Sequence, residues 1–210
     1  MASVADDALL VLHALRLRSL ATPEVVAARF DVPVERVTQV LDVAGEAGWV
    51  VHREGRLSGW SLTAEGRVHA AGLLAEELSA SGAGAAVTAA YGRFLVLNPE
   101  LLAICTDWQV VVRDGEQVVN DHSDERHDEK VLARLDDLHA AALPVVDELA
   151  GLLDRLGGYG ARLSEAHRRV RAGGTDWLTR PMIDSYHTVW FELHEDLLAT
   201  LGRERSQERQ

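Results

Sequence analysis

The chain has 210 residues, 47% of them hydrophobic, and a net charge of −12 with a single lysine among its cations. That length suits one large domain or two small ones, each able to bury a core. No apolar run approaches the roughly 18 residues of a membrane span, and the opening Met1-Ala2-Ser3-Val4-Ala5-Asp6-Asp7 lacks the basic and apolar blocks of a secretion signal, so a cytoplasmic protein with no membrane partner is expected.

The first expected helix spans Val4 to Ser19, with Ala8, Leu9, Leu12 and Leu15 at helical spacing and Asp6 and Asp7 at its positive end. Thr22-Pro23-Glu24 reads as a cap followed by proline at the first helical position, which predicts a short second helix to about Phe30. Asp31-Val32-Pro33 breaks it, and a third helix then buries Val34, Val37, Leu41 and Ala44 before ending at Gly48. Val50 to Glu54, the turn Gly55-Arg56 and Leu57 to Leu62 form a hairpin, after which Thr63 caps a helix with Val68, Ala71, Leu74, Ala75 and Leu78 on one side. The small residues Ser79 to Gly84 mark a domain boundary.

Beyond that boundary the pattern is mostly helical. Asn98-Pro99 predicts a split between helices Ala85–Leu97 and Pro99–Trp108. Arg113-Asp114-Gly115-Glu116, between two valine-rich runs, signals a second hairpin. From about Asp128 a long helix carries Leu135, Leu138, Ala142, Val145, Leu149, Leu152 and Leu156 as a packing seam, which Pro144 should kink or divide near Ala140. Another helix runs from Ala161 to Ala172. The last, from about Pro181 to Leu201, is apolar over a wide arc through Tyr186, Trp190, Leu193 and Leu197. Cys105 is the one cysteine, which excludes an internal disulfide and reads as a buried thiol.

The segment Leu62-Thr63-Ala64-Glu65-Gly66-Arg67 resembles the end of the wing in winged-helix regulators of the MarR and PadR type. Residues 4–80 as a whole fit that resemblance, although the chain lacks both the longer leading helix of MarR proteins and the His-Gly-Tyr segment of PadR proteins, so the subfamily stays open. What it implies is a mainly α chain: an N-terminal winged helix-turn-helix with a two-stranded wing over residues 1–80, then a C-terminal helical bundle over residues 85–210. It also implies a homodimeric transcriptional regulator whose partner is a double-stranded DNA operator. In such a domain the second helix of the pair enters the major groove. Arg36, Thr38 and Gln39 would then reach base edges, and Arg53 and Arg56 of the wing would meet phosphate or the minor groove. Charge pulls the other way, because residues 1–80 carry −4 and the rest −8, without the basic footprint usual for DNA binding. The competing reading is a protein-interaction or sensory module that keeps the winged-helix shape without binding DNA.

In the second part, Asp107, Trp108, Gln109, His122, Tyr186, His187, Trp190 and His194 combine aromatic walls with a few polar groups, the recipe for a small-molecule effector site. The same aromatics are equally readable as core, and Asn120-Asp121-His122-Ser123 as an Asx-type turn. His187 and His194 stand two helical turns apart, too far to share an ion without a third group such as His122 or Asp121. Neither a nucleophile elbow nor a phosphate-cradling glycine loop occurs, so no enzymatic activity, cofactor or metal is expected.

Overall fold

The computed structural model of the chain describes residues 7–56, 58–113 and 115–204. Val4 and Asp6 of the first expected helix, Leu57 of the first hairpin, Asp114 of the second and the tail beyond Glu204 lie outside them. The protein is mainly helical, with two small antiparallel two-stranded sheets. Its contacts divide it into two units. The first comprises residues 1–84 together with Leu153–Arg155 and the residues from Glu195, and the second comprises Ala85–Leu152 and Leu156–His194. One break falls near residue 84, and the chain returns twice to the first unit.

In the first unit α1 (Asp7–Arg18), α2 (Pro23–Phe30) and α3 (Val34–Glu46) precede a hairpin, β1 (Val50–Arg53) and β2 (Gly59–Leu62), and then α4 (Ala64–Ser81). Val50 faces Leu62 and Arg53 faces Gly59 in the hairpin register. Ala21, between α1 and α2, adds an antiparallel bridge to Trp60, with both backbone hydrogen bonds formed, at 3.0 and 2.8 Å. A β-carbon on Gly59 would stand 2.8 Å from the Ala21 carbonyl oxygen, so this edge needs glycine. The core gathers Leu12 and Leu15 of α1, Val26 of α2, Val37 and Leu41 of α3, and Leu62 of β2.

The Thr63-Ala64-Glu65-Gly66 run has a specific mechanical role. The Thr63 hydroxyl accepts the Gly66 N–H at 3.0 Å, capping α4, and donates to the Gly48 carbonyl at 2.8 Å. Gly66 itself lies so close to the chain before β1 that a β-carbon there would sit 1.9 Å from the Trp49 carbonyl oxygen. The motif thus seats the first turn of α4 directly on the entry to the hairpin.

The first unit also buries charge. Arg155, fully buried, donates to Glu77 of α4 at 2.9 Å and to Thr200 at 2.9 Å, and it pairs with Asp196. His13 of α1, also fully buried, lies 3.0 Å from the same Asp196 carboxylate. Burial, opposed by Asp196, holds the His13 imidazole below its ordinary pKa. One guanidinium between two carboxylates leaves the group one charge short of neutral, and the buried geometry is tolerable only because nearly every N–H finds an acceptor.

The second unit contains α5 (Gly84–Gln109, from Ala85 onward), a hairpin of β3 (Val110–Arg113) and β4 (Glu116–Val119), α6 (Glu125–Leu152), α7 (Tyr159–Arg171), the single turn α8 (Asp176–Thr179) and the start of α9 (Tyr186–Thr200), whose residues from Glu195 group with the first unit. The expected split at Pro99 does not occur, and α5 runs through it. Nor does Pro144 divide its helix; α6 is continuous from Glu125 to Leu152. Both prolines stand on the exposed face, where water can serve the carbonyl that proline leaves without a donor, while buried residues on both sides, Phe94 and Leu101 in α5 and Ala142 and Val145 in α6, anchor the two halves. Cys105 is buried, and burial pushes its thiol up to about 12, so it is inert at neutral pH.

Candidate functional site

In the first unit, burial of Val37, Leu41 and Ala44 fixes the rotation of α3 and leaves Glu35, Arg36, Thr38, Gln39 and Asp42 exposed on its other side. The turn into α3 uses Asp31 in the left-handed conformation, φ 54°, followed by Pro33. Arg36 is not unengaged: its Nε donates to Asp7 at 2.6 Å, and its Nη1 donates to the Gln39 amide oxygen at 3.3 Å. The Thr38 hydroxyl donates to the Val34 carbonyl of its own helix at 3.0 Å. With Glu35, Asp42 and Glu46 also outward, the exposed face of α3 carries more negative than positive charge.

The hairpin presents the remaining cations. Arg53 is exposed, with its Nε donating to the buried Ser61 hydroxyl at 2.9 Å. Arg56, at the turn, is exposed. Along the flank of α3 runs an apolar groove of about 320 Å³, walled by Leu12, Val40, Val43 and Trp49 and edged by the Asp7–Arg36 pair. Trp49 is fixed by stacking on His69 at 3.6 Å.

In the second unit the eight residues singled out as ligand-binding separate into distinct places. Trp108, Gln109 and His122 line one cavity of about 520 Å³, together with Asn120, Thr175 and Arg180. Tyr186, Trp190 and His194 are instead core. Trp190 stacks on Phe94 at 4.5 Å and donates to Asn98 at 3.1 Å; Tyr186 meets His139 at 3.2 Å; His194 packs edge-on against Phe94. The Asp107 carboxylate is taken by Arg134 at 2.5 Å. His187 is half-buried, and burial holds it below its ordinary pKa.

Around the cavity, Asn120 and His122 do form the expected Asx turn, with the His122 N–H donating to Asn120 Oδ1 at 3.0 Å. Asp124 then caps α6 through the N–H groups of Arg126 and His127, each at 3.1 Å. The sequence offered no sign that Asp128 or the Thr175 to Pro181 segment belongs here. Asp128 reads as an ordinary first-turn helix acid, and the segment lies more than fifty residues along the chain. Among the described residues no group of three or more His, Cys, Asp or Glu side chains is arranged to hold a metal ion. No helix among them is long and apolar enough to cross a membrane. Comparison with protein-family models, curated proteins and solved structures finds no match for this chain.

Proposed function

We propose that the first unit is a winged helix-turn-helix that reads double-stranded DNA, and that the protein is a homodimeric transcriptional regulator acting in the cytoplasm. The observation that carries this reading is the simultaneous exposure of Arg36, Thr38, Gln39, Arg53 and Arg56 on α3 and the adjoining hairpin, while Val37 and Leu41 fasten α3 to the core. The Ala21 to Trp60 bridge supports it further, because it ties the segment between α1 and α2 to β2 of the hairpin. In that arrangement Arg36 and Gln39 would address guanine and adenine in the major groove, and the hairpin arginines would hold phosphates. Two copies would set their α3 helices about one DNA turn apart and select a pseudo-palindromic site. Gel-shift titration of the full chain on the DNA flanking its own gene tests this. Sequence-specific retardation that Arg36→Ala weakens supports the reading, and no retardation at low salt removes it.

A second reading, docking of a protein partner on α3, is favoured by one specific observation. The outward face of α3 is net acidic and includes Val43, 63% exposed, beside the apolar groove. Recovery of one stoichiometric protein partner, lost on Val43→Glu, together with no DNA binding would favour it over the first.

A further inference from the structure

The 520 Å³ cavity of the second unit is organised around one histidine whose proton position the surrounding bonds dictate. His122 adopts a left-handed backbone, φ 58°, which is disfavoured for a residue with a side chain and persists where neighbours impose it. The imposing neighbour is Asn120, nearly buried. Its Oδ1 accepts the His122 N–H at 3.0 Å, which fixes the orientation of the amide. Its amide nitrogen donates to the Trp108 carbonyl at 3.1 Å and to Asp128 Oδ1 at 2.9 Å.

Those two bonds use both amide hydrogens of Asn120. His122 Nδ1, although 3.3 Å from that nitrogen, therefore receives no proton from it. Nδ1 must carry its own hydrogen and donates it to Asp128 Oδ2 at 2.9 Å. The other ring nitrogen of neutral His122, Nε2, is then a lone pair, and it has no hydrogen-bond partner among the described residues. Trp108 lies against the ring at 4.5 Å and is itself fixed by donating to the Thr175 carbonyl at 3.2 Å. Three separate contacts thus hold still the ring of a histidine that lines the cavity, the arrangement that recognises a specific donor rather than any passing molecule.

Charge narrows the class of ligand. Arg180 on the wall is paired with Asp176, also on the wall, and Asp128 stands behind His122. The cations are balanced, so the cavity does not select an anion. Val110, Val119 and Pro181 supply an apolar side, and the volume lies within the range of small-molecule sites, roughly 300–1,000 Å³. We propose that this cavity binds a small uncharged molecule with an apolar, ring-sized body and a hydroxyl group that donates a hydrogen bond to His122 Nε2. Asn120 and Asp128 are positioning residues. The site belongs to the second unit alone and does not require that the first unit bind DNA.

The test uses three probes that share one ring: phenol carries the donor, benzoate an anion and toluene neither. Each is titrated into the full chain labelled with ¹⁵N in histidine, following the two ring-nitrogen resonances of His122, assigned by their loss in His122→Phe. Without ligand, the wild-type resonances should report the hydrogen on Nδ1. Phenol should shift Nε2 saturably and bind about tenfold or more tighter than toluene or benzoate, since a site built for a donor rejects analogues that lack it. In Asp128→Asn the new amide can donate to Nδ1 and move the ring hydrogen to Nε2. Nε2–H is then a donor, which the benzoate carboxylate accepts better than the phenol oxygen does, so the preference for phenol over benzoate should disappear while the melting transition shows the fold intact. Benzoate binding as tightly as phenol would make this an anion site, and toluene binding as tightly a merely apolar hollow. Either result overturns the proposal, as does an Nε2 resonance that phenol leaves unmoved. Wild-type protein alone decides among these if the variant does not fold.

Discussion

Asp7, in the first turn of α1, holds Arg36, in the first turn of α3, through a hydrogen bond of 2.6 Å between opposite charges. Arg36 is the one cation on the outward face of α3, so this pair decides whether the face has a positive group to offer a nucleic acid. The pair is substantially exposed, at 55% and 34% of the two side chains, and contributes no more than about 1 kcal/mol to stability. Releasing Arg36 should therefore cost the fold little and change recognition much. Asp7→Asn is expected to tighten DNA binding several-fold while the melting temperature stays nearly constant, and Arg36→Ala to weaken binding by about 1–3 kcal/mol. Equal DNA affinity in all three proteins would count against α3 as the reading element.

Gly66 makes a sharper prediction about stability. A methyl group at that position must displace the Trp49 carbonyl from 1.9 Å, so Gly66→Ala should destabilise by about 3 kcal/mol or more, through backbone movement that no rotamer change relieves. Gly72, on the exposed side of the same helix, has nothing within 4 Å of where an alanine methyl would stand, and Gly72→Ala should stabilise by about 0.5–1 kcal/mol. Opposite signs in urea denaturation of the two variants check this contrast. Two similar values would refute it.

The buried Arg155 cluster should respond asymmetrically. Arg155→Met leaves Glu77 and Asp196 facing each other without their shared cation and is expected to cost about 3–5 kcal/mol. Removing the charges together, in Glu77→Gln with Arg155→Met and Asp196→Asn, should recover much of that loss. Denaturant midpoints of the single and triple variants measure it. A triple variant no better than the single one would show that packing, rather than unpaired charge, sets the cost.

Acid should weaken the second unit through His139. Burial, reinforced by the neighbouring His167, depresses its pKa to about 4 from the ordinary 6.5. The unfolded chain therefore binds a proton that the folded chain refuses between those two values. Stability is complete above about pH 6.5, falls as the pH drops toward 4, and loses at most about 3 kcal/mol from this residue. His13 in the first unit is shifted in the same direction by burial and adds to the loss over a window that also begins near its ordinary pKa. Melting temperatures of wild type and His139→Gln, followed from pH 8 to 4, should run parallel above about pH 6.5. Below it the wild type should fall more steeply. Curves that stay parallel down to pH 4 would contradict the assignment.

How much of this was readable from the chain depended on the range of the interaction. The Thr63-to-Gly66 run stood out because a cap and an obligatory glycine act within four residues, and the spacing of α3 showed Val37, Leu41 and Ala44 of its buried stripe, whereas Val34, expected with them, is exposed. Pro99 misled for the same reason in reverse: a local rule forecast a break, but tertiary burial on both sides of the proline held α5 continuous, as it held α6 undivided through Pro144. Trp108, Gln109 and His122 line one cavity, whereas Tyr186, Trp190 and His194, of the same composition, are core. Composition does not separate a cavity wall from an interior. The cluster of His13, Arg155 and Asp196 was invisible, since its members stand 142 and 41 residues apart and each reads alone as an ordinary surface charge.

Whether the first unit reads DNA is decided by the salt dependence of binding to a duplex selected from a random pool by the full chain. Arg53 and Arg56, exposed on the hairpin, are the phosphate contacts in this account. The wild-type slope of log affinity against log salt should fall by about one for each of the substitutions Arg53→Ala and Arg56→Ala, and sequence preference should survive both. A pool that yields no enriched duplex at low salt, or a slope that neither substitution changes, would contradict it.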